Sequence, residues 1–439
     1  MLHALTRLML AFYGFATILV FLVLIMTKRL SVITALVLVP VVFAFIAGFD
    51  YKEIGAMALA GIRQVAPTGI LLMFAVLYFS VMLDAGLFDP VIGLIVRSAK
   101  GDPLKVVLGT ALLTMLVHLD GDGTATFMIV LSTFLPIYKK LGMSRLLLAG
   151  IVALSVGPMH LVPWSGTSVR AISTLNSDAV HIFNPNIPAM LAGLVWVLFV
   201  AYKFGRKERK RIGIIYLDYK HTENFTEEQK LLRRPKLILI NALLTVSLIV
   251  VLLMGEIPAP ALFVVAGMIA LMINYSKLSD QQKILKAHGA NIFLVSSMIF
   301  AAGVYSGILT ESKMIETMAN NLVTLVPKQH ASLIPVITAV ISMPASILFT
   351  PDAYYYGVVP VLSHTCSQLG VDPLEIGRAS LLGQMTVGFP LSPLTASTFL
   401  LIGLAEVELG EHQRFVFKWA WGTTIVMTLI ALLTASIHL

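Results

Sequence analysis

Residues 117–128 read VHLDGDGTATFM, and they interrupt an otherwise apolar stretch that extends over 104–137. Asp120 and Asp122 are each followed by a glycine, which lowers the stability of a helix at this point. Irregular backbone inside a bilayer is tolerated only where protein or a water-filled cavity satisfies its N–H and C=O groups. The stretch therefore predicts a re-entrant helical hairpin over 104–137, with both aspartates at its tip.

The rest of the chain has the composition of a membrane protein. Of its 439 residues, 58% are hydrophobic and 12% are charged. Apolar runs of about 20 residues, the length that crosses a bilayer about 30 Å thick, recur from one end to the other. The predicted fold class is therefore an all-α polytopic membrane protein with about ten transmembrane helices. Full spans are predicted at 8–26, 30–49, 67–85, 146–175, 188–204, 236–254, 259–275, 290–309, 376–405 and 416–438.

The segment 203–236 is dense in charge and is predicted to be a cytoplasmic basic linker. Lys and Arg concentrate in the cytoplasmic loops of membrane proteins. Tracing ten spans and two hairpins outward from this linker places both termini outside and most of the 31 Lys and Arg residues inside. This topology accounts for the net charge of +8 without a nucleic-acid partner, and it suits a multi-pass protein of the plasma (inner) membrane.

The linker separates two transmembrane repeats, 1–202 and 237–439, with matching layouts. Each repeat has three spans, an interrupted hairpin, an interrupted span and a final span. The second hairpin is predicted at 331–363, and the broken helices are predicted at 146–175 and 376–405. Because five spans per half is an odd number, the two halves must be inserted in opposite directions.

Short sequence matches support the repeat. At an offset of 221 residues, LYFSVMLDAGLF (77–88) aligns with MIFAAGVYSGIL (298–309). At an offset of 230 residues, LVPWSGTS (161–168) aligns with LSPLTAST (391–398), and Asp122 aligns with Asp352. Each match is short, and their common order along the chain is the evidence.

Four polar breaks, two in each half, indicate where a binding site lies. Inverted repeats with broken helices place a site near the midplane, where helix ends offer N–H groups to anions and C=O groups to cations. A simple helix kink is the commoner explanation of any single break, but four at corresponding positions favour a site. The breaks are HLDGDGTAT (118–126), GPMHLVPWSGTS (157–168), SILFTPDAYY (346–355) and VGFPLSPLTAS (387–397).

The carboxylates in these breaks are Asp120, Asp122 and Asp352. An open loop around Gly121 and Gly123 can turn carboxylate oxygens inward, and such oxygens suit a hard divalent cation or a transported proton. The structural alternative is pairing with a backbone amide or an arginine. An intramembrane carboxylate is costly and usually functional, so a functional role is favoured for Asp122 and Asp352.

Other ionisable and hydroxyl side chains flank the breaks. Arg170 can hold a substrate carboxylate through its planar guanidinium, or it can extend to the interface or neutralise Asp122. His118 and His160 can carry protons or bind metal, although a structural role is commoner for a buried histidine. Tyr354 is either a hydroxyl donor to a substrate or an interfacial aromatic residue.

With these segments in view, the chain resembles the citrate–metal–proton symporter family, CitMHS. The resemblance covers most of the chain and is strongest in the first half. Five segments carry it, TKRLSVITALVLVPVVFAFIAGF (27–49), QVAPTGILLMFAVLYFSVMLDAGLFDP (64–90), GDPLKVVLGTALLTML (101–116), LDGDGTATFM (119–128) and VPWSGTSVRA (162–171).

The resemblance implies import of citrate as a complex with a divalent metal ion, Mg²⁺ or Ca²⁺ first among them, in symport with protons. It implies a transporter rather than an enzyme, with the metal as co-substrate and no tightly bound cofactor. Carriers of the wider ion-transporter superfamily are homodimers with two opposed re-entrant hairpins and elevator-like motion. The same organisation is expected here.

Carried onto this sequence, the resemblance assigns two groups of residues. Asp120, Asp122, Asp352, His118 and His160 are expected to serve metal or proton coupling. The Ser-Asn-Thr hairpin signature of the dicarboxylate carriers is replaced by DGDGT and TPDAY, which favours coupling through carboxylates over sodium coupling. Expected substrate-binding residues are Gly121, Gly123, Thr124, Thr126, Ser165, Gly166, Thr167, Arg170, Thr350, Tyr354, Ser392, Thr395 and Ser397.

Two alternatives remain open and two are disfavoured. A carrier for another di- or tricarboxylate, coupled to protons or sodium, fits the same features. An intramembrane aspartyl protease is a remote alternative, because two carboxylates can activate water. Its Gly-x-Gly-Asp and Tyr-Asp signatures are broken here by Leu119 and Pro351. A channel is disfavoured by the closed breaks and intramembrane charge, and no GxxxxGK[ST] motif supports ATP-driven transport.

Overall fold

The computed structural model describes residues 2–215, 227–323 and 328–439, and in these ranges the chain forms helices and no β-strand. The all-α fold class is confirmed. The first half contains α1 (Leu2–Met26), α2 (Val32–Ile46), α3 (Tyr51–Asp84), α4 (Asp89–Ala99), α5 (Pro103–Val117), α6 (Gly123–Leu141), α7 (Arg145–Met159), α8 (Gly166–Thr174), α9 (Ala179–Phe183) and α10 (Ile187–Ile212). The second half contains α11 (Glu227–Leu232), α12 (Ile238–Met254), α13 (Ala259–Asn274), α14 (Leu278–Glu311), α15 (Met314–Val323), α16 (Leu333–Ala345), α17 (Val359–Gln368), α18 (Leu374–Leu381), α19 (Ala396–Ala405) and α20 (Leu409–Leu433).

Six helical segments within the described ranges are long and apolar enough to cross a membrane. The sequence predicts about ten spans, and the difference arises because the other apolar runs form helices of 10–17 residues. The protein is thus a multi-pass membrane protein with fewer continuous long spans than predicted. The six are Tyr51–Asp84, Pro103–Asp120, Ala179–Ile212, Pro235–Met254, Leu278–Glu311 and Leu409–Leu433.

Helices α3 and α14 have 34 residues each and pack antiparallel along their length. A Cβ atom added to Gly61 would lie 1.9 Å from the carbonyl oxygen of Gly303, so the two backbones are in contact there. Toward the other end, Asp84 Oδ2 lies 2.8 Å from His288 Nε2. Small residues at a helix interface permit this close approach. The α3–α14 pair forms one wall of the site described below.

The first predicted hairpin is occupied by α5 and α6. Asp102 caps the N-terminus of α5, where its side chain accepts a hydrogen bond from the Leu104 amide at 3.0 Å. After Val117 the chain makes one tight turn and reverses at Gly121, whose φ of +75° is a conformation that glycine adopts without strain. Asp122 then caps α6.

The second predicted hairpin is occupied by α16 and α17, joined by a different turn. Helix α16 ends after Pro344, and the chain runs without helical structure through Phe349 and Thr350. A wide helical turn over Ala353–Val358 then leads directly into α17. Wide turns of this kind occur frequently at functional sites.

Both predicted broken helices are interrupted in the structure. Helix α7 is buried from Leu147 to Met159, as expected for an apolar helix at the centre of the fold. The chain leaves the helical path after Met159, and α8 begins at Gly166 with Ser165 as its cap. In the second half, the segment between α18 and α19 contains one short turn over Phe389–Leu391.

The two ends of α10 identify the two ends of the molecule. At its C-terminal end, Arg209 forms an ion pair with Asp102, and Arg211 donates a hydrogen bond to the Gly142 carbonyl at 2.8 Å. Just before its N-terminal end, the Asn186 side chain accepts a hydrogen bond from Ser436 at 2.7 Å. A helix of 26 residues is about 39 Å long, so these contacts lie on opposite sides of the protein.

Candidate functional site

A cavity of about 1170 Å³ lies between the α3–α14 wall and the breaks of the first half. This volume exceeds that of a typical small-molecule site, about 300–1,000 Å³. The cavity extends toward one end of the molecule, where Asp84, Arg233 and His288 line it. Predicted site residues that line it are Asp120, Gly121, Asp122, Gly123, His160, Gly166, Thr167, Arg170 and Ser397.

The tip of the first hairpin presents two aspartates in different environments. Asp120 is buried, and its Oδ1 accepts a hydrogen bond from the Asp122 amide at 2.9 Å. Asp122 is exposed in the cavity, and its Oδ1 accepts from the Thr124 amide at 2.9 Å, which satisfies one of the free N–H groups at the start of α6. Each carboxylate thus has one oxygen engaged by the backbone. Of the two, Asp122 is the one that a solute in the cavity can reach.

A pair of histidines joins this tip to the first break. The ring nitrogens His118 Nε2 and His160 Nδ1 are 2.8 Å apart, and His118 Nδ1 lies 2.9 Å from the Thr126 hydroxyl. That hydroxyl donates its single proton to the Asp122 carbonyl, so it accepts from His118 Nδ1–H. His118 Nε2 then accepts from His160 Nδ1–H. Both rings are therefore neutral in this arrangement, and the chain of hydrogen bonds has one direction.

Arg170, on α8, forms an ion pair across the two halves of the chain. Its Nε donates to Asp352 Oδ1 at 2.7 Å, and the side chains are 15% and 7% exposed, respectively. Its Nη1 donates to the Gly166 carbonyl at 2.7 Å, and its Nη2 lies 3.0 Å from the Met298 sulfur. A thioether is a weak acceptor, so the Nη2 edge lacks a strong partner at the cavity surface. Of the alternatives for Arg170, pairing with Asp122 is replaced by pairing with Asp352.

The N-terminus of α8 also faces the cavity, with Gly166 and Thr167 in its lining. Ser165 caps the helix through a hydrogen bond from the Ser168 amide at 3.2 Å, and the Thr167 hydroxyl donates to the Met385 carbonyl at 2.9 Å. Exposed N–H groups and the helix dipole favour an anion at this position. The two breaks thus contact each other beside the cavity.

Several predicted substrate ligands instead support the second hairpin and second break. The Ser346 hydroxyl contacts the Met385 amide at 2.9 Å, and Ser392 donates to the Ser346 carbonyl at 2.6 Å. The Tyr354 hydroxyl contacts Ser380 at 3.2 Å. Thr350 accepts from the Ala353 amide at 3.2 Å. These hydroxyls are engaged within the protein, so they position the hairpin against the break.

The comparisons with known proteins agree with this architecture. The CitMHS model, described as "Citrate transporter", matches residues 18–383. The chain belongs to the CitMHS citrate transporter family. It is 50% identical over 425 residues to a Bacillus subtilis (strain 168) protein named "Citrate transporter", which covers 97% of this chain and 99% of that protein. It is also 50% identical over 435 residues to the "Mg(2+)/citrate complex secondary transporter" of the same organism, covering 98% and 100%.

A solved structure shares the fold of this CitMHS protein. The Alcanivorax borkumensis YdaH transporter superimposes with a TM-score of 0.61 and 15% sequence identity, covering 87% of this chain and 89% of that chain. At this identity the likeness concerns the fold alone. It establishes that the helical arrangement described above is one found in a membrane transporter.

The cavity brings together only part of the predicted site of the CitMHS protein. The hydroxyls of Thr126, Ser392 and Tyr354 are buried in structural contacts, and the assignments of all predicted residues as ligands stay predictions. Sequence reasoning missed lining residues of the α3–α14 wall. Phe79, Ser80, Asn291 and Met298 belong to this group. Phe79, Ser80 and Met298 lie within the matched segments 77–88 and 298–309, so the repeat itself carried a signal for this wall.

No preformed metal cage is present in the part of the chain that the structure describes. Within residues 2–215, 227–323 and 328–439, no group of three or more His, Cys, Asp or Glu side chains is close enough to hold an ion. Mg²⁺ takes six ligands and keeps several waters, and it often binds protein through one or two carboxylates. A divalent ion in this CitMHS cavity would therefore draw most of its ligands from its accompanying anion and from water.

Proposed function

We propose that this protein imports citrate as a complex with a divalent metal ion, in symport with protons. The chain belongs to a family described as citrate transporters, and one relative at 50% identity is named for the Mg(2+)/citrate complex. These names give the substrate class. The coupling ion and the mechanism rest on the features of the cavity.

The observation that carries the proposal is the presence of opposite charges in one cavity. Asp122 supplies carboxylate oxygen at the first hairpin tip, and Arg170 supplies guanidinium N–H groups beside the N-terminus of α8. Free citrate would be repelled by Asp122, and a bare cation would be repelled by Arg170. A metal–citrate complex offers cation to one and carboxylate to the other, while its lower net charge reduces the cost of dehydration.

The metal travels as co-substrate in this proposal. Asp122 contacts the ion while citrate and water complete its coordination, which is consistent with a cavity that has few protein ligands. Oxygen ligands favour Mg²⁺ and Ca²⁺ over softer ions. The Gly166 and Thr167 amides and the Nη2 edge of Arg170 bind citrate carboxylates.

Corresponding structural positions in the two halves support an inverted repeat. Helix α6 begins directly after Asp122 and the wide turn begins directly after Asp352, 230 residues later. The same offset relates Ser165, which caps α8, to Thr395, which precedes α19. We infer that the two halves are inverted repeats whose hairpins enter from opposite sides, and that the site moves past the α3–α14 wall in an elevator-type motion.

The proposed orientation places the basic linker in the cytoplasm and the cavity open to it. Arg233, near the end of the linker, lines the cavity at the same end as Asp84 and His288. That end also carries the basic clusters expected on the cytoplasmic side. The protein is accordingly proposed to be a homodimer of the plasma membrane, open to the cytoplasm in this conformation.

The test is transport by the purified full chain in liposomes. Uptake of radiolabelled citrate is measured with Mg²⁺, Ca²⁺, Mn²⁺, Ni²⁺ or chelator present, with and without an inward proton gradient. Symport of a metal complex predicts that uptake requires both a suitable ion and the gradient. Equal accumulation with chelator and without a gradient would refute the proposal. Competition by unlabelled di- and tricarboxylates separates citrate from related acids.

A further inference from the structure

We infer that Asp352 carries the coupled proton, and that the coupling arises because Asp352 and a citrate carboxylate compete for the single positive charge of Arg170. The inference rests on the proposed function and names the residue pair that links its two ions. It starts from an asymmetry between the corresponding aspartates of the two halves. Asp122 caps its helix, whereas the Asp352 side chain makes no cap hydrogen bond and is directed to Arg170 instead.

The guanidinium has room for a second carboxylate only on the cavity side. Asp352 occupies Nε and the Gly166 carbonyl occupies Nη1. Nη2 rests on the Met298 sulfur, which a carboxylate oxygen would readily replace because charge-assisted hydrogen bonds are the stronger kind. Arg170 and Pro351, the residue before Asp352, both line the cavity. Substrate and protons therefore reach the ion pair from the same space.

The surroundings supply no other full charge to balance a second anion. Among the described residues, the ionisable groups that face the pair are the phenols of Tyr355 and Tyr356 and the imidazole of His160. The nearby part of α1 contributes Ile18 and Leu22 beside Gly357, and α14 contributes Met298. Two carboxylates on one buried guanidinium would leave one negative charge unpaired, which is strongly unfavourable in a dehydrated site.

Protonation of Asp352 removes this conflict. In the empty site, the Asp352 carboxylate pairs with Arg170. When metal–citrate binds, a citrate carboxylate takes Arg170, and the Asp352 carboxylate accepts one proton from the cavity to become a neutral carboxyl group. No other covalent bond changes. When citrate leaves on the other side, the proton leaves Asp352 and the ion pair forms again.

Both of these states are balanced in charge at Arg170, and the two mixed states are not. A protonated Asp352 without citrate leaves the guanidinium unpaired, and an ionised Asp352 with citrate leaves a carboxylate unpaired. Symport requires that such mixed states be too rare to cross the membrane. The competition for Arg170 thus couples one proton to each metal–citrate complex.

The experiment measures the affinity of the purified full chain for citrate at saturating Mg²⁺ as a function of pH. The range lies above the pH at which free citrate has lost its last carboxyl proton, so that substrate ionisation does not contribute. Proton uptake on adding Mg–citrate is recorded in parallel with a pH-sensitive dye in weak buffer. Wild type is expected to take up a proton and to lose affinity about tenfold per pH unit, as for one linked proton.

Asp352→Asn is the decisive variant, because its amide cannot ionise. It is expected to bind Mg–citrate with no pH slope and with no proton uptake. The matched control is Asp372→Asn, which removes an aspartate paired with Arg378 away from the cavity and should behave as wild type. Asp352→Glu restores an ionisable group, and its slope should return even if Asp352→Asn folds poorly.

Two results overturn the inference while leaving the proposed function intact. The first is a wild-type pH slope and proton uptake in Asp352→Asn. The second is loss of the slope in Asp352→Glu together with normal Mg–citrate affinity. If wild type itself binds no Mg–citrate in any of these conditions, the proposed function fails instead, so the two failures are distinguishable.

Discussion

Asp122 is the residue for which helix capping and ligand binding can be separated by mutation. Asparagine caps a helix as well as aspartate does, so Asp122→Asn keeps the start of α6 while it removes the negative charge from the cavity. We expect folding to be retained and the affinity for Mg–citrate to fall at least about tenfold, or about 1.4 kcal/mol. The measurement is citrate uptake over a range of Mg²⁺ concentrations.

Asp178→Asn provides the matched control for this variant. Asp178 also caps a helix, where it accepts a hydrogen bond from the His181 amide at 2.9 Å, but it does not line the cavity. Its substitution should leave the Mg²⁺ dependence of uptake unchanged. Equal effects of the two substitutions would assign Asp122 a structural role only.

At the scale of single residues, the sequence located the site better than it located the contacts. Asp120 and Asp122 are two positions apart, and nothing in their spacing distinguishes the buried carboxylate from the exposed one. Only the positive φ of Gly121 and the packing of the tip do so. Arg170 pairs with a residue 182 positions away, and such a partner depends on how the two halves pack.

At the scale of elements, the α3–α14 contact gives a prediction about stability. In Gly61→Ala the new methyl group would meet the Gly303 carbonyl, which is backbone and cannot rotate away. Forcing the helices apart is expected to destabilise the protein by about 1–3 kcal/mol. The readout is the thermal unfolding temperature of the detergent-solubilised protein.

Gly55→Ala is the control on the same helix and should shift the unfolding temperature the other way. No atom lies within 4 Å of a Cβ built at Gly55, and alanine stabilises a helix relative to glycine by about 0.5–1 kcal/mol. A decrease in stability for both variants would indicate that helix propensity, and not the crossing with α14, controls the response.

The contact of Glu406 with the ends of α6 and α7 gives a pH dependence. Hydrogen bonds from Lys139 and then Arg145 lower the pKa of Glu406 below its usual 4.5. A lowered pKa in the folded state means that the stabilisation is present above about pH 4.5 and is lost as the pH falls through the folded-state value. Glu406→Gln should therefore lower the unfolding temperature at neutral pH.

The difference between wild type and Glu406→Gln is expected to be small, since all three side chains are about half exposed and such pairs contribute little. It should disappear once Glu406 is protonated in acid. Unfolding scans of both proteins at neutral and acidic pH check this. A difference that grows toward acid would contradict the sign of the shift.

At the element scale, sequence reasoning predicted where helices break better than where they end. Proline, glycine and hydroxyl residues mark 157–168, and the structure has no helix between Met159 and Gly166. By contrast, the predicted span 67–85 is the last part of a helix that begins at Tyr51. Hydropathy excluded its polar first turns, which a capping box of Asp50 and Glu53 makes helical.

At the scale of the whole molecule, the proposed orientation predicts which side of the membrane reaches the cavity. Cys366 is fully buried, so the native chain provides a quiet background for cysteine labelling. Ser80→Cys places a thiol in the cavity wall. A membrane-impermeant maleimide should label it from the cytoplasmic face, and Mg–citrate should slow the reaction at least several-fold.

Ser367→Cys is the control for sidedness. Ser367 is exposed near the end of α17, in the part of the second half assigned to the opposite face. Its labelling should occur from outside and should not respond to Mg–citrate. Labelling of both positions from the same face would refute the orientation, and labelling of Ser80→Cys that ignores Mg–citrate would place the substrate elsewhere.

The Arg170–Asp352 ion pair also imposes an order on biogenesis. Arg170 enters the membrane with the first half of the chain, and its partner is synthesised 182 residues later. During that interval the arginine must be held by the insertion machinery or remain near water, because a bare guanidinium in lipid is costly. Final folding of the first half therefore waits for the second hairpin, and a premature stop before Asp352 should leave an insertion intermediate that quality-control proteases recognise.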